Sequence, residues 1–249
     1  MFAIQYRKPV AFTMSPPHLH KHHHPIVHHH VSINQVTPTL FLGDIASSYS
    51  ISALIRHSIT AVVSLGLTPS PEWSRPANQK LIPDQNHLFI RCDDSPTQDL
   101  LCYFEEICDF IDKHTAKPDL MRILEQADED AVSMGCNTRG SSRMVEAAQQ
   151  GHVLVHCTQG VSRSPTVVVA YLMKKTGRCM DEVLREVRAQ RREVEPSENF
   201  IEQLRIWERV RYSVWKDGAP KREYAEWLRR RDSRVRGEAL LPDGEGDWE

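Results

Sequence analysis

A cysteine and an arginine stand six residues apart in a polar stretch that separates two apolar segments of the chain. Cys157 follows the apolar run 153–155, and Arg163 precedes a second apolar run that begins near Pro165. A cysteine thiolate is a nucleophile, and a guanidinium group can hold two oxygens of a phosphate at once. Together they could carry out phosphoryl transfer to sulfur, which gives a phosphocysteine.

The segments on either side predict a strand, a loop and a buried helix. Residues 153–155 are predicted to form the central strand, and Pro165 suits the first turn of a helix because its missing N–H costs nothing there. That helix is apolar nearly all round, which predicts that it is buried. The polar loop would then lie at the carboxyl end of a buried strand, where open α/β sheets bind ligands.

A loop of this kind favours an anion. Gly160 permits a tight bend, the backbone N–H groups can converge on the ligand, and the helix dipole adds positive potential. The same field should stabilise the thiolate of Cys157 while Arg163 clamps the phosphate. A plain buried cysteine in a strand–helix turn is the structural alternative, but Cys, Gly and Arg at spacings of three and three rarely coincide.

Strand and helix patterns alternate along the chain, which predicts an α/β fold with a central, mostly parallel sheet flanked by helices. Residues 67–86 are rich in proline and polar residues, so they are predicted to be a loop. The other predicted strands are 33–43 (one strand or a pair), 59–66 and 87–92. We predict helices at 44–58, where Asp44 resembles a cap, and at 119–134, 180–192 and 197–215. A further helix is predicted within the segment 94–113, and another is predicted to begin at 165.

The composition excludes several classes of function. The 249 residues carry a formal net charge of −2, so nothing global points to nucleic acid or to a membrane surface. No apolar run approaches the length of about 18–20 residues that crosses a bilayer, and the N-terminus lacks a clean secretory signal. The six cysteines follow no CxxC or disulfide spacing, so we expect reduced thiols in a cytoplasmic and/or nuclear protein.

Residues 156–164 read HCTQGVSRS and resemble the signature HCxxGxxR[ST] of the cysteine-dependent protein phosphatases. The resemblance is greatest to the small, atypical dual-specificity phosphatases and covers most of residues 33–212. It implies one cysteine-phosphatase domain whose phosphate-binding loop joins the central strand to a buried helix. It also implies hydrolysis of phosphotyrosine, with phosphoserine and phosphothreonine expected as well, in a phosphoprotein such as a protein kinase. We expect a monomer that uses a phosphocysteine intermediate and needs neither a cofactor nor a metal.

The resemblance also assigns roles to single residues. It makes Cys157 the nucleophile, Arg163 the phosphate clamp, and Ser164 the hydroxyl that helps the sulfur to leave. A plain helix cap is a second role considered for Ser164, and both roles can hold at once. His156 is expected to order the loop by hydrogen bonding rather than to transfer protons. Arg163 and the remaining residues of the loop are expected to bind the phosphate: Thr158, Gln159, Gly160, Val161 and Ser162.

The family places a general acid on a loop upstream of the signature, where this chain has two candidates, Asp93 and Asp94. Aligning the aromatic pair Tyr103 and Phe104 with the family's pair favours Asp94. A carboxylic acid on that loop can protonate the leaving oxygen. Asp93 would then be a neighbouring charge.

The chain is predicted to have three parts: a disordered His-rich tail over 1–32, the catalytic domain over 33–215, and a solvated, charged C-terminal tail over 216–249. Metal binding by the His runs stays open as an alternative. In the tail, 216–236 is basic and a candidate helix. The domain carries an insertion at about 114–151, which is expected to project away from the phosphate loop.

One further departure from the family is Ser197, where related sequences often have Asn, which leaves the local hydrogen bonding open. Three other functions also stay open. The chain could be a non-catalytic phosphate-binding module, an enzyme acting on a phosphoinositide, an RNA 5′-phosphate or a glucan, or a metal-binding protein. Phosphoinositide enzymes often have lysines in the signature loop, and this loop has none.

Overall fold

A computed structural model describes residues 31–116 and 151–237 of the chain. The strands are β1 (Ile33–Thr37), β2 (Leu40–Gly43), β3 (Ile59–Gly66), β4 (His87–Arg91), β5 (His152–His156), β6 (Trp215–Lys216) and β7 (Ala219–Pro220). The α-helices are α1 (Ile45–Tyr49), α2 (Ile51–Arg56), α3 (Pro76–Leu81), α4 (Phe104–Thr115), α5 (Arg163–Thr176), α6 (Met180–Gln190), α7 (Glu198–Arg209) and α8 (Arg222–Arg236). Short 3₁₀ helices cover Pro71–Ser74, Asp84–Asn86 and Leu101–Tyr103.

Five of these strands form one sheet in the order β1-β2-β5-β3-β4. The central strand β5 runs parallel to both β2 and β3, and β4 runs parallel to β3. Within this sheet, β1 pairs in the antiparallel sense with β2. The predicted α/β fold with a mostly parallel sheet is therefore confirmed, and β5 is its central strand.

Side chains that alternate along the strands build a separate core on each face of the sheet. Val153 and Val155 of β5 pack into the larger core with the helices α4 to α7, whereas Leu154 packs into a smaller core on the opposite face. The smaller core also contains Leu54 of α2 and Trp73. The helices therefore flank the sheet on both sides, as the alternation of strands and helices predicted.

Three of the predicted elements differ from the structure. The predicted helix 197–215 ends at Arg209, and Trp215 lies in β6. The predicted helix 44–58 is two short helices, because Ser50 adopts an extended backbone and caps the second one with its side chain. The predicted loop 67–86 contains α3 and two 3₁₀ turns. Pro71 and Pro76 each lie at the start of one of these helical segments, where proline favours helix formation.

The expectation of a solvated C-terminal tail is wrong for the helix α8. Tyr224, Trp227 and Leu228 are at most 3% exposed and belong to the main core. Trp227 and Leu228 follow Tyr224 by three and four residues, which places all three on one helical face. The abundant charge of the segment lies on the remaining faces, which is why composition alone suggested a tail. The prediction that 216–236 includes a helix is confirmed.

Several predictions concern residues outside the described ranges: most of the His-rich tail, the insertion with its helix at 119–134, and the end of the chain. The described residues on either side of the insertion lie together, since Gly151 packs against the backbone of His114. The insertion therefore joins the chain at the N-terminal end of β5. Within the described ranges, no helix has the length and apolar character to cross a membrane.

Candidate active site

The strand β5 and the helix α5 position the predicted nucleophile and clamp. Cys157 follows directly after β5, and Arg163 is the first residue of α5, two positions earlier than the predicted start at Pro165. We call the connecting residues 157–162 the phosphate loop. Both ends of this loop are fixed by buried elements, so its backbone has little freedom to move away from a bound ligand.

The sulfur of Cys157 lies inside a small set of hydrogen-bond donors. The side chain is only 3% exposed. Its Sγ accepts a hydrogen bond from the backbone N–H of Gly160 and another from the hydroxyl of Ser164, both at 3.2 Å. Donors that point at a sulfur favour its negatively charged form. The cap alternative for Ser164 does not hold, since Ser162 occupies the N-cap position of α5.

Gly160 allows the tight turn that brings its N–H to the sulfur. Its φ is +71°, and a Cβ atom at this position would lie 2.5 Å from the carbonyl oxygen of Gly43. Any other residue would combine a left-handed backbone with a collision against β2. The prediction that Gly160 permits a tight bend is therefore confirmed.

Two side-chain hydrogen bonds hold Arg163 in a fixed orientation and leave its Nε–H for a ligand. Its Nη1 donates to the carbonyl of Cys92 at 3.2 Å, and its Nη2 donates to the hydroxyl of Thr158 at 3.0 Å. Its Nε is buried and has no partner among the described residues. An unpaired buried N–H is costly, so this atom is a natural donor for a ligand oxygen at the phosphate loop.

Asp94 lies beside the phosphate loop. We call residues 92–100, which follow β4, the acid loop. The hydroxyl of Ser162 donates to Asp94 Oδ1 at 3.0 Å, and the Asp94 side chain is exposed. The backbone N–H of Asp93 instead bonds to Gln98, and Asp93 Oδ1 is buried without a partner among the described residues. This position suits the role predicted for Asp94, which stays a prediction.

His156 anchors the floor of the phosphate loop. Its Nε2 lies 2.6 Å from the hydroxyl of Ser64, which lies 2.7 Å from Nε2 of His87, and its Nδ1 lies 3.3 Å from the carbonyl of Cys157. Burial lowers the pKa of His156 to about 3 and that of His87 to about 4, so both rings are neutral at pH 7. One assignment of protons fits this series of hydrogen bonds. His156 Nδ1–H donates to the Cys157 carbonyl, the Ser64 hydroxyl donates to His156 Nε2, and His87 Nε2–H donates to the Ser64 oxygen.

A functional residue that the sequence did not indicate is Arg191, which follows α6 and is 4% exposed. Its Nε donates to the carbonyl of Gly160 and its Nη2 to the carbonyl of Gln159, both at 2.9 Å. Its Nη1 donates to Ser32 and Asn34 at 2.7 and 2.8 Å. All these partners are neutral oxygens, so the arginine brings positive charge to the phosphate loop.

The contacts of Arg191 explain the direction of the loop's N–H groups. In a planar trans peptide the N–H points away from the carbonyl of the preceding residue. Because the Gln159 carbonyl faces Arg191, the Gly160 N–H faces the opposite way, toward Cys157 Sγ. No signal in the sequence indicates this role, since Arg191 is one of several arginines near the end of α6.

The helix α7 supplies further contacts that the sequence did not predict. Gln203 Oε1 accepts the backbone N–H groups of Leu100 and Leu101, both at 2.8 Å. Asn199 and Gln203 both donate to the carbonyl of Gln98. At Ser197 the backbone N–H donates to Ser162 at 3.3 Å, while the hydroxyl is buried without a partner among the described residues. The helix α7 thus holds the acid loop against the core.

The structure brings all of the predicted site residues to one place, at the carboxyl end of β5. Comparisons with known proteins indicate the family. A family model described as dual specificity phosphatase, catalytic domain, matches residues 138–210.

Two curated relatives illustrate the similarity. The dual specificity protein phosphatase MPK-4 of Drosophila melanogaster is 29% identical over 212 residues, which cover 85% of this chain and 45% of that protein. The dual specificity protein phosphatase 22-A of Danio rerio is 30% identical over 197 residues, covering 79% of this chain and 71% of that protein. The chain thus spans less than half of the length of the Drosophila relative.

The crystal structure of DUSP15 resembles this chain with a TM-score of 0.51 and 25% identity, covering 81% of this chain and 96% of that one. Sequence and structure therefore lead to the same family. The chain belongs to the dual specificity phosphatase family, which confirms the resemblance carried by the signature.

Proposed function

We propose that the protein is a phosphatase that hydrolyses phosphotyrosine, and also phosphoserine and phosphothreonine, through a phosphocysteine intermediate. One observation carries the proposal. Cys157 Sγ accepts hydrogen bonds from Gly160 and Ser164 at the bottom of a loop where Arg163 Nε–H has no partner among the described residues. A stabilised thiolate and a free guanidinium donor at one anion site are the requirements for attack on a phosphate ester.

In the first step the thiolate of Cys157 attacks the phosphorus, and the bond from phosphorus to the ester oxygen breaks. The guanidinium of Arg163 and the N–H groups of the phosphate loop offset the charge on the transferred oxygens. Asp94 gives its proton to the departing oxygen, so the alcohol or phenol leaves in its neutral form. This step leaves a phosphocysteine and the carboxylate of Asp94.

In the second step water attacks the phosphocysteine. The carboxylate of Asp94 accepts a proton from the water, the sulfur–phosphorus bond breaks, and inorganic phosphate is released. The hydroxyl of Ser164, 3.2 Å from the sulfur, stabilises the thiolate as it leaves. The neutral ring of His156 holds the loop in place and takes no part in proton transfer.

A phosphoprotein is the substrate class that fits this site, and a protein kinase is one candidate. The relatives MPK-4 and 22-A are named as dual specificity protein phosphatases. The phosphate loop has no lysine, which weighs against a phosphoinositide headgroup. We further propose that the enzyme acts as a monomer and needs no nucleic acid or membrane partner.

We also propose that the protein acts in the cytoplasm or the nucleus. Cys92, Cys102, Cys108, Cys157 and Cys179 are free thiols in the structure. Free thiols are typical of reducing compartments. Localisation of the tagged full chain in cells tests this proposal, and secretion of the protein would contradict it.

Replacing the nucleophile tests the proposed activity directly. Cys157→Ser should abolish turnover of a phosphotyrosine peptide and leave the fold intact, because a hydroxyl is a poor nucleophile at neutral pH. Activity near that of the unmutated protein would exclude the phosphocysteine mechanism. Turnover of phosphotyrosine and phosphothreonine peptides, a phosphoinositide and 5′-triphosphate RNA by the unmutated chain then identifies the substrate class.

A further inference from the structure

The C-terminal helix α8 lies outside both the signature and the part of the chain that the family model matches. That match ends at residue 210, and α8 covers Arg222–Arg236. The helix nevertheless packs into the main core through Tyr224, Trp227 and Leu228. Apolar packing alone would give α8 a purely structural role, but the same face also makes polar contacts.

Two of these polar contacts meet at one carboxylate, that of Asp99. The hydroxyl of Tyr224 donates to Asp99 Oδ2 at 2.7 Å, and Nη1 of Arg231 lies 3.3 Å from the same oxygen. The guanidinium of Arg231 also lies over the ring of Trp227, 5.6 Å from its centroid, which restricts its position. Asp99 lies near the end of the acid loop, so a helix distant in sequence holds the loop that carries Asp94.

Gln98 transmits the position of Asp99 to the start of the acid loop. Its Nε2 donates to the carbonyl of Asp99 at 2.7 Å, and its Oε1 accepts the backbone N–H of Asp93 at 3.0 Å. Two side chains of α7 fix the carbonyl of Gln98 itself. A continuous series of contacts therefore connects α8 with the backbone immediately before Asp94.

The contacts on Asp99 are more than apolar packing requires. A phenylalanine and a methionine at positions 224 and 231 could bury similar apolar area without bringing a hydroxyl and a charge to a carboxylate that is only 11% exposed. A partly buried charge pair contributes little net stability compared with apolar side chains of similar shape. Its value lies in fixing one geometry, and here the geometry is that of the acid loop.

We propose that α8 positions the general acid of the phosphatase. Tyr224 and Arg231 hold Asp99, and Asp99 holds the acid loop in the form that keeps Asp94 beside the phosphate loop. Tyr224 and Arg231 are positioning residues, because they lie away from the reacting atoms and act through Asp99. The inference rests on the proposed function, since it concerns the acid of that reaction.

Tyr224→Phe removes the hydroxyl donor and keeps the ring, so it tests the proposal in the full chain. With phenyl phosphate, kcat/KM, which reports the step that releases the leaving group, should fall about three- to tenfold, because one positioning hydrogen bond is worth about a factor of ten or less. With p-nitrophenyl phosphate, whose leaving group departs without a proton, kcat/KM should stay within about twofold of the unmutated value. Glu226→Gln, which breaks an exposed pair with Arg222 on the same helix, is the matched control and should change neither rate.

A double-mutant cycle with Asp94→Ala distinguishes positioning from a general loss of stability. In the Asp94→Ala background, Tyr224→Phe should have no further effect on phenyl phosphate, because its effect acts through the acid. An equal loss with both aryl phosphates, or an undiminished loss in that background, would overturn the proposal. The proposal would also be overturned if the double variant Tyr224→Phe/Arg231→Gln hydrolysed both aryl phosphates at the rates of the unmutated protein. Complete inactivity of the unmutated chain would contradict the proposed function instead.

Discussion

At the scale of single residues, two cysteines lie near the same arginine, and only one has the surroundings of a nucleophile. Burial raises the pKa of Cys92 to about 12, although Arg163 is close by. Its carbonyl serves as an acceptor that orients that arginine. Cys157 instead receives hydrogen bonds from its own loop and from the first turn of α5. Cys157 therefore has the hydrogen-bonding surroundings that the proposed nucleophile needs.

The two adjacent aspartates of the acid loop give a matched pair of variants. Asp94→Ala should lower kcat on a phosphotyrosine peptide by roughly 10²–10⁴, the range expected for losing a positioned general acid. The loss should shrink for aryl phosphates with acidic leaving groups. Asp93→Ala should have a much smaller effect, because its backbone N–H rather than its carboxylate holds the loop. A large, leaving-group-dependent loss in Asp93→Ala alone would show that the alignment is off by one residue.

Arg163→Lys keeps the charge and removes the planar fork. We expect a severe loss of kcat, about 10²-fold or more, because lysine cannot bind two phosphate oxygens and hold Cys92 and Thr158 at the same time. Steady-state kinetics on p-nitrophenyl phosphate measure this loss with a leaving group that needs no proton from Asp94. If lysine restored most of kcat, charge alone would be sufficient and the geometric argument would be wrong.

At the scale of elements, the phosphate loop depends on a side chain outside it. Arg191, from the end of α6, holds the carbonyls of Gln159 and Gly160 and also reaches Asn34 on β1. It therefore joins the loop to the edge of the sheet. Removing it would leave several buried oxygens without donors, which is costly.

Arg191→Met should accordingly reduce both stability and activity. We expect the free energy of unfolding to fall by about 1–3 kcal/mol, the cost of leaving buried polar groups unsatisfied. The value of kcat/KM should fall with it, because the loop's N–H groups lose their fixed direction. Urea unfolding and steady-state kinetics measure the two effects. The neighbouring Arg192 is exposed, so Arg192→Met is the control, and an equal effect of both variants would contradict the assignment.

At the scale of the whole molecule, one buried series of side-chain hydrogen bonds joins three strands of the sheet. His87 on β4, Ser64 on β3 and His156 on β5 bond in series across the sheet. Burial is the main cause of the lowered pKa of both histidines. Their neutral form is therefore built into the folded state and makes its stability depend on pH.

The sign of this dependence follows from proton uptake. Unfolded histidines bind protons below a pH of about 6.5, whereas the folded pKa values are about 4 for His87 and about 3 for His156. The unfolded chain thus takes up more protons in this window, so the stability that is present above about pH 6.5 is lost as the pH falls toward 4. Each histidine should contribute a slope of about 1.4 kcal/mol per pH unit.

Urea unfolding of the full chain at about pH 7 and about pH 5 measures this slope. His87→Gln keeps a donor for Ser64 and removes one of the two titrating groups. On acidification, the free energy of unfolding of this variant should fall less steeply than that of the unmutated protein. The difference in slope should be about the contribution of one histidine, about 1.4 kcal/mol per pH unit. An unchanged slope would mean that His87 is not buried in its neutral form.

The sequence by itself determined the reaction centre, because the signature residues follow one another along the chain. Nine consecutive residues from His156 to Ser164 contain the proposed nucleophile, the tight turn, the proposed phosphate clamp and the hydroxyl proposed to help the sulfur leave. Their spacing is fixed covalently, and the strand and helix around them are read from local apolar patterns. The acid needed one alignment step more, since it lies on a separate loop.

Only the tertiary structure decided what holds these residues in place. Arg191 meets Gln159 and Gly160, and Tyr224 meets Asp99, across long stretches of intervening chain. Local periodicity predicts which face of a helix is buried but not which distant polar group it will meet. In an arginine-rich segment such as α8, charge count suggested a solvated tail, whereas three apolar residues on one face were sufficient to bring the helix into the core. The partners depend on how the sheet order brings distant segments together, and that order follows from the packing of the whole chain.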